Sequence, residues 1–212
     1  MKNSILSIGI FAVLGFACCK KDDKKVSQVV TVSAPTISFT GSRFYSIPVG
    51  GAIPTIAATA YDSVIGESYP VSYDVSNIDN TTPGLYVVVF NTKNKYGYTS
   101  QDVAYVAVTN IAAGLNLSGT YKRTSNNEPV HVTEVANGLY ETDDVGGAAT
   151  LEVPAYFVTI NETTIELPEQ PTIAGDLYAV NGSLHLAAGD TTFTYAIRNA
   201  SFGTAARTFK KQ

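Results

Sequence analysis

Asn80-Thr81-Thr82-Pro83-Gly84-Leu85-Tyr86-Val87-Val88-Val89-Phe90 decides the fold. Its first five residues are turn chemistry, with a proline that presets φ and a glycine free of Cβ constraints. The next six are apolar or aromatic at every position, and mostly β-branched or aromatic. A short apolar run bounded by turn residues reads as a strand in the middle of a sheet, covered on both faces. Val103-Ala104-Tyr105-Val106-Ala107-Val108-Thr109 has the same character. Lys93-Asn94-Lys95-Tyr96-Gly97 lies between the two and predicts a hairpin.

Outward from this pair, no 3.6-residue periodicity persists after Val26. Short runs of Val, Ile, Thr, Tyr and Phe alternate instead with Gly, Pro, Asn and Asp, the rhythm of a β-sandwich or barrel. The small, turn-prone Ile111-Ala112-Ala113-Gly114 separates a second β pattern that begins at Leu115. That pattern includes Leu117-Ser118-Gly119-Thr120-Tyr121, the alternating Val130–Val135, and Phe193-Thr194-Tyr195-Ala196-Ile197. The expectation is an all-β chain with one domain over 29–110 and a second, an antiparallel sandwich or barrel, over 115–212. The 212 residues carry 14 Lys+Arg against 18 Asp+Glu, so no basic footprint for nucleic acid exists. Only 15% are charged while 45% are hydrophobic, which excludes a disordered polyelectrolyte or a coiled coil.

The N-terminus reads as an address. Lys2 precedes an apolar stretch from Ile5 to Ala17. Thirteen residues at 1.5 Å each reach only about 20 Å, short of a ~30 Å hydrocarbon core. A secretory signal over 1–17 fits better than a spanning helix. Both cysteines of the chain, Cys18 and Cys19, follow directly; adjacent cysteines rarely bridge, so no disulfide framework is expected. Leu14-Gly15-Phe16-Ala17-Cys18 resembles a bacterial lipobox, which implies cleavage before Cys18 and lipidation there, with Cys19 as the alternative. Several acyl chains give stable anchoring where one does not. The charged run Lys20-Lys21-Asp22-Asp23-Lys24-Lys25 reads as a solvated tether over 18–28. It is also similar to the export signal of surface-exposed Bacteroidota lipoproteins, which implies attachment to the outer membrane, facing the medium.

Residues 34–109 resemble the bacterial immunoglobulin-like domain first described in a pesticidal crystal protein. The matching features are Val49-Gly50-Gly51, Ala58-Thr59-Ala60-Tyr61-Asp62 and Thr82-Pro83-Gly84-Leu85-Tyr86-Val87-Val88. The resemblance implies an immunoglobulin-like sandwich serving as spacer or adhesive platform, with Tyr86 as its tyrosine corner. Asn94 stands where that family usually has Asp, which argues against a metal site in the hairpin. The second half, from Ser118-Gly119-Thr120-Tyr121 to the closing Thr-Tyr strand, resembles an uncharacterised C-terminal domain of gut Bacteroides lipoproteins. Such chains are often encoded near polysaccharide-uptake genes, which implies a glycan or an outer-membrane uptake complex as partner.

Catalytic arrangements are sparse. The only histidines, His131 and His185, each point away from apolar neighbours on alternating segments, and no Gly-x-Ser-x-Gly elbow exists. No zinc-type Cys/His cluster occurs. Asp143 and Asp144 beside Gly146-Gly147 read first as a solvated turn, since Asp and Gly are the commonest turn residues, with a calcium loop as the lesser candidate, so no metal is expected. Glu134, Glu141 and Asp144 are available carboxylates for a glycosidase pair, but no spacing singles out two of them. Thirteen tyrosines and no tryptophan make tyrosine the available sugar platform. Tyr121, Tyr140, Tyr156 and Tyr178, together with Tyr195, are the ligand-binding candidates of the second domain; cross-strand and core packing is the competing role. Asp62-Ser63-Val64 and Asp190-Thr191-Thr192 resemble the Bacteroidota O-glycosylation signal, with Ser63 and Thr191 as acceptors. The expectation is a non-catalytic lipoprotein without cofactor, binding a glycan or an uptake partner. An adhesin or spacer binding only protein, and a glycoside hydrolase-like enzyme, stay open as alternatives.

Overall fold

The computed structural model describes residues 32–212, and Val32–Gln212 form one compact unit. The signal segment, Cys18, Cys19 and the tether therefore lie outside the described residues. Among those described, every regular element is a strand.

The first seven strands are β1 (Thr36–Phe39), β2 (Phe44–Ile47), β3 (Ala58–Asp62), β4 (Glu67–Tyr69), β5 (Val71–Tyr73), β6 (Gly84–Lys93) and β7 (Thr99–Val108). They form two sheets, ordered β1-β3-β4 and β2-β7-β6-β5. The hairpin of β6 and β7 is paired along its whole length, from Gly84 opposite Val108 to Lys93 opposite Thr99. β2 joins β7 in parallel. Alternation sorts the side chains of this hairpin. Val88, Phe90, Ala104 and Val106 enter the core between the two sheets with Ile37, Ile56 and Ala60. Leu85, Val87, Val103, Tyr105 and Ala107 point to the opposite face. The Tyr86 hydroxyl donates to the carbonyl of Thr82 at 2.9 Å, as a tyrosine corner does.

The remaining strands are β8 (Gly119–Arg123), β9 (Pro129–Ala136), β10 (Leu139–Thr142), β11 (Ala155–Asn161), β12 (Thr164–Glu166), β13 (Tyr178–His185), β14 (Thr192–Arg198) and β15 (Ala206–Lys211). From β8 to β12 and from β13 to β15 each strand pairs with its sequence neighbour, and β15 returns to pair with β8. This is an up-and-down eight-stranded barrel. Its seam lies between β12 and β13, where the amide of Ala179 donates to Leu167 at 2.9 Å and that of Leu184 to Thr163 at 2.8 Å. Between these bonds β13 bulges at Asn181, whose φ is 57°. A Cβ on Gly182 would stand 2.1 Å from the carbonyl oxygen of Ile165, so only glycine lets the two strands approach this closely.

Eight strands leave an interior just wide enough for side chains to fill. Here they fill it with rings. Phe193 is the hub, with ring centroids of Tyr121, Phe209, Phe157 and Tyr195 at 4.9, 5.0, 5.5 and 5.8 Å. Tyr121 donates its hydroxyl to Leu117 at 2.8 Å, four residues upstream, repeating the corner seen at Tyr86. Leu117-Ser118-Gly119-Thr120-Tyr121 and Thr82-Pro83-Gly84-Leu85-Tyr86 share that spacing of glycine and tyrosine.

The barrel packs on the outer face of the β6–β7 hairpin. Leu139 and Val158 meet Leu85, Tyr105 and Ala107 in a shared buried cluster. Leu139 and Tyr140 are both fully buried although adjacent, one against the sandwich and the other inside the barrel. Beyond the cluster, the hydroxyl of Thr109 donates to the carbonyl of Thr159 at 2.8 Å.

Candidate functional site

Where the barrel stops covering the hairpin, a cleft of about 620 Å³ opens between the two bodies. Val89 is the first outward residue of β6 left exposed, after Leu85 and Val87 are packed. The cleft is lined from the sandwich by Val89, Val103 and Tyr105, and from the barrel by Tyr156, Pro171 and Ile173. Tyr156 sits with its ring among those of Tyr105 and Phe44, at centroid separations of 4.3 and 5.0 Å. Burial pushes the Tyr156 phenol up to about 12, and Tyr105 is raised by the same cause. Both are neutral hydrogen-bonding groups at physiological pH.

Gln170 fixes this wall. Its side chain accepts from the amide of Tyr156 at 2.8 Å and donates to the carbonyl of Tyr156 at 2.8 Å, standing in for a neighbouring strand. The loop that follows is equally tied. Thr172 donates to the carbonyl of Gly175 at 2.7 Å, and Asn199 donates to the carbonyls of Ala174 and Asp176 at 3.1 and 2.9 Å. On this pinned loop Ile173 is 74% exposed, the most exposed large apolar side chain among the described residues. Opposite it, the Arg43 guanidinium is spent on Asp102 and on the carbonyl of Val103, with its Nε bonded to the latter at 2.9 Å. The cleft thus presents apolar walls and a polar rim on which Arg43 and Asp102 engage each other and Asp176 is exposed.

Of the sequence candidates, Tyr156 lines the cleft and the others fall elsewhere. Tyr121 and Tyr140 are fully buried inside the barrel, with hydroxyls donating to Leu117 and to Leu115 at 2.8 and 2.9 Å. Neither ring is open to a ligand, which corrects the expectation of a tyrosine platform; Tyr195 is buried likewise and donates to Val145 at 2.9 Å. Tyr156 reaches the cleft, and Tyr178 is exposed at the start of β13. Asp143 and Asp144 do not share a cation position. Asp144 is buried and accepts from the amides of Gly146 and Ala148 at 2.8 and 2.6 Å, a cradle of donors that suits an anion. Asp143 accepts from the amide and the ring Nδ1 of His131 at 2.7 and 2.8 Å. Among the described residues no three His, Cys, Asp or Glu side chains gather as metal ligands would.

The carboxylates Glu134 and Glu141 serve separately. Glu134 accepts from the amide of Gly138 at 3.2 Å, and Glu141 from the hydroxyl of Tyr156 at 3.3 Å. Ser63 is exposed on the turn after β3, and Thr191 is half-buried before β14. Sequence reasoning missed Arg43, Val89, Gln170 and Ile173. Their roles arise only when the barrel meets the sandwich, and nothing local in the chain marks that meeting.

No protein-family model matches this chain, and no curated protein does. Among solved structures it is similar to the crystal structure of the lipoprotein BT2262 from Bacteroides thetaiotaomicron. The identity is 20%, over 84% of this chain and 100% of that one, with a TM-score of 0.38.

Proposed function

We propose that the chain is a lipid-anchored, non-catalytic protein of the outer cell surface that holds a polypeptide segment of an envelope partner in the cleft. The lipobox around Cys18 and the charged run after it support the anchor and the surface location. The observation that carries the docking reading is Ile173. A large apolar side chain displayed on a loop already pinned by hydrogen bonds costs little backbone ordering entropy when a partner covers it. The walls it faces are valine, proline and tyrosine, the composition of a protein contact core more than of a sugar site. Tethering then supplies the affinity that the small cleft does not, because confinement to one surface raises the effective concentration of the partner.

A photo-cross-linking residue placed at position 173 of the full chain, in the native host, tests this reading. One predominant adduct is expected, absent when the same probe replaces Ser63 and lost when Val89→Asp is added. Equal labelling from both positions overturns the docking reading. Loss of membrane association in Cys18→Ser checks the anchor, and its retention there together with Cys19 intact moves the lipid to Cys19.

A further inference from the structure

We infer that the end of the sandwich from which the chain departs toward its anchor is a lipid-contact surface, with tyrosines of the β3 end and the β6–β7 turn resting in the headgroup layer. The inference rests on the lipid-anchor reading above. It begins from where the exposed apolar side chains lie. Eleven large apolar side chains are exposed among the described residues, and five of them are Val32, Tyr61, Val64, Tyr96 and Tyr98. These five come from the first described residue, the end of β3, the β3–β4 turn and the β6–β7 turn.

One buried node brings those segments to a single end. Asp62 is fully buried and its carboxylate accepts from Ser33 at 2.5 Å, from the amides of Val64 and Ile65 at 3.1 and 3.2 Å, and from the Asn94 side chain at 3.0 Å. Asn94 donates in addition to the carbonyl of Ser33 at 2.7 Å, and its oxygen accepts from the amides of Tyr96 and Tyr98, both at 3.0 Å. Lys95 crosses from the β6–β7 turn to Glu67 at the start of β4 at 2.6 Å. Position 33 is therefore locked into the same end that shows the tyrosines. Cys18 precedes Val32 by few enough residues that the tether spans at most about 50 Å when fully extended. This end is then the part of the body held nearest the acyl chains.

The chemistry fits that neighbour. Tyrosine rings are apolar with a polar tip and settle at the membrane–water boundary. Two cations stand there, Lys95, paired with Glu67 and lying over the Tyr96 ring at 5.5 Å, and Lys93 beside Gly97. With Glu67 and Asp62 at the same end the charges offset and the patch is close to neutral. A zwitterionic headgroup layer needs no net charge to receive it. β7 runs from this end past Asp102 and Val103 of the cleft to Thr109 and the barrel, so contact here holds the barrel on the side away from the lipid.

The chain has no tryptophan, which gives a clean probe. The full lipidated chain carrying Tyr96→Trp, and separately Tyr178→Trp, is placed on phosphatidylcholine vesicles containing brominated lipid. Quenching and a blue shift are expected for the probe at 96 and neither for the probe at 178. A lipidated protein, shown by intact mass, whose probe at 96 stays unquenched overturns the inference while leaving the anchor in place. Equal quenching at both positions overturns it too, since the body would then lie on its side. An intact mass without fatty acid sinks the anchor reading itself. If Tyr96→Trp fails to fold, Tyr98→Trp carries the same expectation.

Discussion

The ring of Tyr156, on the barrel, lies 4.3 Å from that of Tyr105, on the sandwich, at an interplanar angle of 42°. This pair joins two cores into one, and it also lines the cleft. Truncating Tyr156 to alanine removes half-buried ring area from both jobs and is expected to cost about 2 kcal/mol. Tyr156→Phe loses only the 3.3 Å bond to Glu141 and should cost well under half of that. Urea unfolding of the two variants checks the ratio; equal losses would mean that the hydroxyl, not the ring, matters.

Alkali should unfold the protein cooperatively. Burial raises the phenols of Tyr140 and Tyr156 to about 12, and also raises Tyr105, Tyr121 and Tyr195. In the unfolded chain all five titrate near about 10. The native state therefore holds more protons than the unfolded state once the pH exceeds that value, and stability falls with rising pH. It is complete below pH 10 and is lost as the pH climbs through about 12. Absorbance at 295 nm should rise in one step coincident with loss of β-sheet circular dichroism, whereas a gradual rise ahead of unfolding would contradict the buried placement.

Asn94→Asp would set a second carboxylate 3.0 Å from Asp62 in a buried node. Like charges at that separation cannot both ionise without cost. The melting temperature is expected to fall by several degrees at neutral pH and to recover as the pH approaches the carboxylate range, where one group takes up a proton. A deficit that persists unchanged in acid would mean that the lost amide donor, not charge, is responsible.

Gly182→Ala should be the most damaging single methyl in the barrel. The added Cβ would meet a backbone oxygen at 2.1 Å, and no side-chain rotation relieves a backbone clash. A loss above about 4 kcal/mol, or failure to fold, is expected. Gly189→Ala, where nothing lies within 4 Å but φ is 73°, carries backbone strain without a clash and should cost far less.

Strands were legible wherever turn residues framed a run of branched or aromatic side chains, and the β6–β7 hairpin is the clearest instance. The outward placement of His131 and His185 followed from alternation alone, and both are exposed. The Tyr86 corner was readable from its spacing after Pro83-Gly84, yet the same spacing ending in Tyr121 went unused as a structural sign. That is why Tyr121 was expected to meet a ligand. Whether a tyrosine lines a barrel or its rim depends on which face of the strand closes inward. In segments such as Gly138-Leu139-Tyr140, where both faces are buried, no polar partner betrays the answer. The cleft was illegible for a different reason. Val89 looks like its neighbours in sequence and differs only in lying past the point where the barrel ends.

The union of β8 with β15 has a consequence for the order of events during folding. The first strand of the ring is made nearly ninety residues before the one it must clasp, Gly119 to Ala206. Until the last arrives, β8 offers an open edge to any passing chain. The hairpin of β6 and β7, whose partners are near at hand, can assemble early and shield that edge's neighbours by giving Leu139 and Val158 a surface to settle on. The sandwich would then act as a mould for the barrel before it acts as its support.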